Sequence, residues 1–250
     1  MIEYNQKGDR VMEKQRLDKI IASTGRFSRR EVKDLIRHGR VWVDGAPACS
    51  AQDQVDPETV AITINGEPML YRRFTWVMLN KPAGYLSATE DGRGTTVLDL
   101  LPPELRRQNL FPVGRLDKDT EGLLLLTNEG ALAHHLLSPR HHVDKEYFVR
   151  VAGCLTEEDC QAFSAGMVLQ DGLVCQPAEL KILTAGNGSE ACVTLREGKF
   201  HQVKRMLAAR GTPVVYLERI RMGNLCLDPS LSRGSFRFLT DYEVERLREL

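Results

Sequence analysis

The chain of 250 residues is poorest in the features that would tie it to a membrane, a redox site or a nucleotide triphosphate. No run approaches the ~18 consecutive apolar residues that a transmembrane helix needs. The opening stretch MIEYNQKGDRVMEKQRLDK has no apolar core of the secretory kind, and it predicts a protein that stays in the cytoplasm, away from membranes. The six cysteines (49, 154, 160, 175, 192 and 226) lie far apart without a CxxC, so reduced thiols are expected. Aromatic residues make up only 6% of the chain, and no heptad or long apolar patch suggests assembly, so a monomer is expected. Gly92-Arg93-Gly94 and Gly198-Lys199-Phe200 lack the remaining letters of a phosphate-binding P-loop. What is present is a hydrophobic fraction of 42% and a charged fraction of 27%, enough for a real core and too much for wholesale disorder.

Lys+Arg and Asp+Glu both total 34, and that balance hides segregation. Between Arg16 and Arg40 eight basic residues face three acidic ones, and between Lys199 and Arg221 six face Glu218 alone. Two separated basic zones suit an extended anionic partner touched at two places, although solvated helix faces would give the same counts.

The front of the chain reads as helices on a small hairpin sheet. Leu17, Ile20 and Ile21 keep helical spacing up to Gly25, and Ser28-Arg29-Arg30-Glu31 spells a capping box. The second helix should stop near His38, at Gly39. Strands are expected at 41–43 and 60–64, each closing on a turn dipeptide, Asp44-Gly45 and Asn65-Gly66. Arg29, Arg30, Lys33 and Arg37 cover much of one side of the second helix, a stripe suited to phosphates. The segment RLDKIIASTGRFSRREVKDLIRHGRVWVDG resembles the S4 RNA-binding domain of ribosomal protein S4 and many RNA-modifying enzymes. The resemblance implies RNA contacts through Arg16, Lys19, Arg29, Arg30, Lys33 and Arg37. A basic helical hairpin with a protein partner is the plainer alternative.

Beyond a connector near 68–73, strand runs outnumber helices. Strands are expected at 76–79, 111–113, 123–126, 146–151, 172–175, 178–183, 191–195 and 214–217, and helices at 131–137, 157–165, 202–210 and after Thr240. That ratio predicts an α+β fold with a mainly antiparallel sheet. The division reads as an extension over 1–14 without periodic pattern and poorly ordered, an S4 domain over 15–70, and a larger domain over 71–250.

The densest chemistry is GRLDKDTEGLLLLTNEG, residues 114–130, where Asp117, Asp119 and Glu121 alternate with Arg115 and Lys118. Taken alone, an exposed turn of mixed charge fits this string as well as a catalytic carboxylate does. Together with LNKPAGYLSAT upstream and KEY and GKFHQVKRM downstream, it resembles the pseudouridine synthases that carry an S4 module. SPRHH and HQVKRM look closest to the branch that modifies small-subunit, 16S ribosomal RNA.

That resemblance implies isomerisation of one uridine to pseudouridine without a cofactor or metal, acting on ribosomal RNA or an assembling particle. It places the essential carboxylate at Asp117, a cationic partner at Lys204 with Arg205 as the neighbouring candidate, a base-facing ring at Tyr147, and an arginine entering the vacated stack at Arg115. Tyr147 also fits a core strand position in KEYFVRV, and Lys204 and Arg205 also fit a solvated helix face. His134, His135, His141 and His142 are expected to be surface or RNA-contacting residues, since no Cys ligands accompany them at zinc spacing. Other readings are action on 23S ribosomal RNA, a non-catalytic ribosome-assembly factor, and a nucleosidase that would release free uracil.

Overall fold

A computed structural model describes residues 14–92 and 94–250. The expected N-terminal extension, apart from Lys14, and Arg93 lie outside the described residues. By packing, the described residues form two units: 14–73 together with Pro102–Asn109, and Phe74–Leu101 together with Leu110–Leu250. The division expected at residue 70 did not foresee that 102–109 would cluster with the smaller unit.

In the smaller unit the helices Leu17–Ser23 and Arg29–Arg37 pack on a four-stranded sheet, ordered 46–47, 41–43, 62–64, 67–68. The capping box forms as spelled, with the Glu31 amide donating to Ser28 Oγ at 3.3 Å and the Ser28 amide donating to Glu31 Oε2 at 2.7 Å. Each such cap contributes about 1 kcal/mol to the helix it opens. Both hairpin dipeptides have positive φ at both residues, 49° and 80° at Asp44-Gly45 and 55° and 83° at Asn65-Gly66. These are the mirror-image turns whose twist matches the flanking strands. Leu17, Ile20, Ile21, Val32, Ile36, Val41, Ile62 and Ile64 form the core, leaving Lys19, Arg29, Arg30, Lys33 and Arg37 on the exposed side.

The larger unit is built on one nine-stranded sheet. Its main path runs 179–184, 190–195, 145–151, 214–222, 121–127, 76–81, 236–238, with short strands 225–226 and 111–112 at the side. All neighbours are antiparallel except one pair. Glu218 and Arg219 lie parallel to Glu121 and Gly122, and this seam joins the two halves of the sheet. Helices Glu157–Ala165 and Gln202–Ala209 cover one half through Phe163, Val203, Met206 and Leu207. Helices Gly130–Leu137 and Asp241–Arg248 cover the other through Leu132, Leu136 and Leu247. Leu123–Leu126 is buried along its whole length, which explains the unbroken apolar run, since both faces of that strand are covered.

The α+β class and mainly antiparallel sheet are as expected. Several boundaries moved. The strand expected at 214–217 continues to Met222, those at 76–79 and 123–126 extend to 76–81 and 121–127, and of 60–64 and 172–175 only Ile62–Ile64 and Val174–Cys175 are strand.

Candidate active site

The turn that carries Asp117 is fixed from below before any side chain of the cavity is considered. The strand Trp76–Lys81 is buried at every position, and its last residue, Lys81, is fully buried. Its ammonium donates to the backbone carbonyls of Thr120 at 2.7 Å, Asp117 at 3.1 Å, Pro82 at 3.1 Å and Lys118 at 3.3 Å. One cation thereby gathers three carbonyls of the 117–120 turn, which the Thr120 amide closes on Asp117 O at 3.1 Å. Burial pushes the Lys81 ammonium down to about 8, against the opposing pull of Glu121, Asp119 and Asp117. Ser87 ties the other shoulder: its hydroxyl donates to Leu116 O at 2.9 Å and accepts from the Leu116 amide at 3.0 Å. Downstream, Gly122 sits at φ 96°, where a Cβ would strike the carbonyl of Arg219. Only glycine lets the chain leave the turn and enter the seam so close to the neighbouring strand.

Above this base the Asp117 carboxylate, 27% exposed, faces the N-terminal end of the helix Gln202–Ala209. Lys204 Nζ lies 3.3 Å from Asp117 Oδ2 and 2.5 Å from Asp119 Oδ1. The hydrogen bond from Lys204 holds the Asp119 carboxyl below the usual carboxylate range. His201 Nε2 is 3.5 Å from the other Asp117 oxygen. His201 opens the helix in the left-handed region, at φ 51°, which turns its ring toward the turn.

Asp117 lines a cavity of about 70 Å³ with Arg115, Leu116, Thr120, Tyr147, Leu195, Lys199, His201, Gln202, Val203 and Leu217 among its walls. Ordinary ligand pockets start near ~300 Å³. A space this small takes one part of a ligand whose remainder lies on the surface. Tyr147, half-buried on the strand Lys145–Val151, supplies a flat wall, and Arg115 stands exposed at the rim.

The structure thus brings together Asp117, Lys204, Tyr147 and Arg115. It does not bring Arg205 to them: Arg205 turns away and pairs with Asp171 at 2.5 Å. In the smaller unit Arg16 is engaged by the buried Asp18, at 2.8 and 3.0 Å, while the other five expected RNA-contacting cations stand exposed. The His135 and His141 rings meet at a 36° tilt with centroids 3.6 Å apart, and no group of three or more metal-ligating side chains gathers among the described residues. Sequence reasoning missed Lys81 and His201. The signal for Lys81 was present as a lone cation, next to Asn80, at the end of a strand apolar from Trp76 to Leu79.

The sequence profile of the RNA pseudouridylate synthase family matches residues 75–209, and that of the S4 domain matches residues 15–60. The chain is 49% identical over 235 residues to an uncharacterised RNA pseudouridine synthase of Bacillus subtilis, covering 94% of this chain and 98% of that one. It is 38% identical over 231 residues to the ribosomal small subunit pseudouridine synthase A of Escherichia coli, covering 92% and 98%. A crystal structure of a pseudouridylate synthase superposes with a TM-score of 0.66 at 36% identity, covering 93% of this chain and 99% of that one. With an S4 domain ahead of the Asp117 cavity, this chain belongs to the RNA pseudouridylate synthase family and is an isomerase that acts on RNA.

Proposed function

We propose that the chain converts a uridine of small-subunit ribosomal RNA to pseudouridine, with Asp117 as the essential carboxylate. The observation that carries this reading is the Asp117 side chain, held on a lysine-anchored turn, opening into a cavity walled by Tyr147. The choice of RNA follows the relatives of Vibrio cholerae and Escherichia coli named for the small ribosomal subunit, 36% and 38% identical.

The reaction breaks the N1–C1′ bond, turns the freed uracil, forms C5–C1′, and moves one proton from C5 to leave N1 protonated. Nothing is oxidised or lost, so a carboxylate and a tight enclosure suffice. The Asp117 anion can stabilise positive charge at the sugar, bond to C1′, or take a sugar proton. Lys204 orients that anion from the helix side. Tyr147 offers its ring to the uracil face, and Leu195, Val203 and Leu217 give the base an apolar wall while it turns. The uridine must be everted to reach Asp117, at a cost of a few kcal/mol. Arg115 at the rim suits the space the base leaves. In the S4 domain the exposed Lys19, Arg29, Arg30, Lys33 and Arg37 hold phosphates, and Arg16, occupied by Asp18, contributes less.

Purified protein incubated with 16S and 23S ribosomal RNA, followed by pseudouridine mapping, tests the proposal. One modified uridine in 16S RNA is expected, abolished by Asp117→Asn with RNA binding retained. Modification by that variant at the wild-type rate would overturn the role of Asp117, and a site only in 23S RNA would overturn the choice of RNA.

A further inference from the structure

Phe200 is an apolar ring left 74% exposed, set in the chain between Lys199 and His201, which both line the Asp117 cavity. It is not a loosely hung side chain. One face of the ring lies on His201, with centroids 3.8 Å apart and planes 19° from parallel, and His201 in turn reaches Asp117. The backbone beneath is braced: the Lys199 amide donates to Gln202 Oε1 at 3.0 Å, Gln202 Nε2 donates to Glu197 Oε1 at 2.5 Å, and the Lys199 ammonium meets Glu197 at 2.9 Å. Gln202 is buried, so the ring is held in place before any ligand arrives.

The ring itself borders another cavity, of about 520 Å³, lined with it by Leu169, Gln170, Asp171, Arg205, Ala208 and Ala209. Its floor is apolar and its edge is the Asp171–Arg205 ion pair, which offers an acceptor and a fork of donors side by side. A flat ring over small apolar residues with a polar edge is complementary to a nucleobase, whose faces are apolar and whose edge carries donors and acceptors.

We propose that Phe200 is the stacking platform for the nucleotide adjacent to the isomerised uridine, whose base lies in the groove between residues 169–171 and the helix Gln202–Ala209. The inference rests on the functional reading above. The small cavity takes the everted base, the strand passes over the Phe200–His201 rim, and the neighbouring base is caught on its far side. Such a contact fixes the register of the strand against Asp117 and contributes to the choice of sequence context. It also gives Arg205, which points away from Asp117, a place at the neighbour's edge.

The test uses the full chain. The modified uridine is first mapped in 16S and 23S transcripts, and short RNAs are synthesised across it, intact or with an abasic ribose on one side or the other. Phe200→Ala is expected to lower kcat/KM for pseudouridine formation about 10-fold on intact RNA, the size of one lost base–aromatic stack. One of the two abasic RNAs is expected to lower the wild-type value by a similar factor. On that RNA Phe200→Ala should add less than about 2-fold, because the partner is already gone. Phe200→Tyr, which keeps the flat ring, should stay near wild type on intact RNA. An undiminished Phe200→Ala loss on both abasic RNAs, or no loss on intact RNA, would overturn the platform alone. Absence of any pseudouridine formation by the wild-type chain would overturn the functional reading and the platform with it.

Discussion

Lys81 and Asp117 meet through a backbone hydrogen bond rather than an ion pair: the buried ammonium donates to the Asp117 carbonyl at 3.1 Å while the Asp117 carboxylate lies 3.3 Å from Lys204. The position of the carboxylate is therefore set by a cation it does not pair with. A lysine suits the task because its three donors radiate from one atom and can be shared among four carbonyls that curve around it.

Lys81→Met should fold less stably, by about 3 kcal/mol, because several buried carbonyls lose their donor. It should also slow pseudouridine formation about 100-fold under saturating RNA, since a misplacement of the order of 1 Å costs that much. The dissociation constant for RNA should barely move. Denaturant titration, single-turnover kinetics and filter binding separate the three effects.

The same lysine makes a pH prediction with a definite sign. Its folded value is about 8 against 10.5 for the unfolded chain. Below pH 8 both states are charged, and the folded state carries the full cost of the buried charge. Between pH 8 and 10.5 the unfolded chain binds a proton that the folded one does not, so this contribution to stability rises with pH. Unfolding free energies of wild type and Lys81→Met, measured from pH 7 to 10, should diverge in favour of wild type as pH increases. Lys145, also lowered to about 8 by burial, titrates alike in both proteins and cancels in the difference.

Lys204 bridges Asp117 and Asp119, and the two contacts are expected to have unequal weight. Asp119 is 76% exposed, so its pair is well solvated and Asp119→Ala should change the rate by no more than about 5-fold. Lys204→Met should cost about 100-fold, the loss of a charge aimed at the carboxylate proposed to react, and Lys204→Arg should recover part of it. Single-turnover rates on one RNA decide the ranking.

In the S4 domain, Arg29→Ala with Arg30→Ala and Lys33→Ala should weaken RNA binding and flatten its salt dependence. Neutralised phosphates set the slope of log K against log salt, at about 0.7 to 0.9 per contact, so the triple change should reduce it by about 2 to 3. Binding isotherms from low to moderate salt read that slope directly.

Local chemistry in the sequence translated faithfully into local structure. Ser28 with Glu31 and Thr240 with Glu243 cap helices as spelled, and both Xaa-Gly turns close hairpins. The family motifs led to Asp117, Tyr147 and Lys204, which the fold gathers. What stayed hidden depends on contacts distant in sequence. Lys81 acts on carbonyls 36 to 39 positions away, which no window of periodicity spans. The strand expected at 214–217 runs on through the charged residues Glu218, Arg219 and Arg221 to Met222. Arg219 is buried there, its Nε donating to the Leu123 carbonyl at 2.8 Å across the seam. Lys204 and Arg205, adjacent in the motif, part company because neighbouring residues on a helix point about 100° apart, and only one can face the turn.

The parallel seam at Gly122 makes the Asp117 cluster a joint between two half-sheets rather than a fitting on either one. The turn belongs to one half, while the helix bearing Lys204 and the strand bearing Tyr147 belong to the other. A slip of one residue along that join would carry the carboxylate about 3.3 Å past its partners and flip the side chains that line the cleft. Under the role proposed for Asp117, integrity of the whole sheet is thus a condition of turnover, and partial melting of either flank should silence the chemistry while the other still stands.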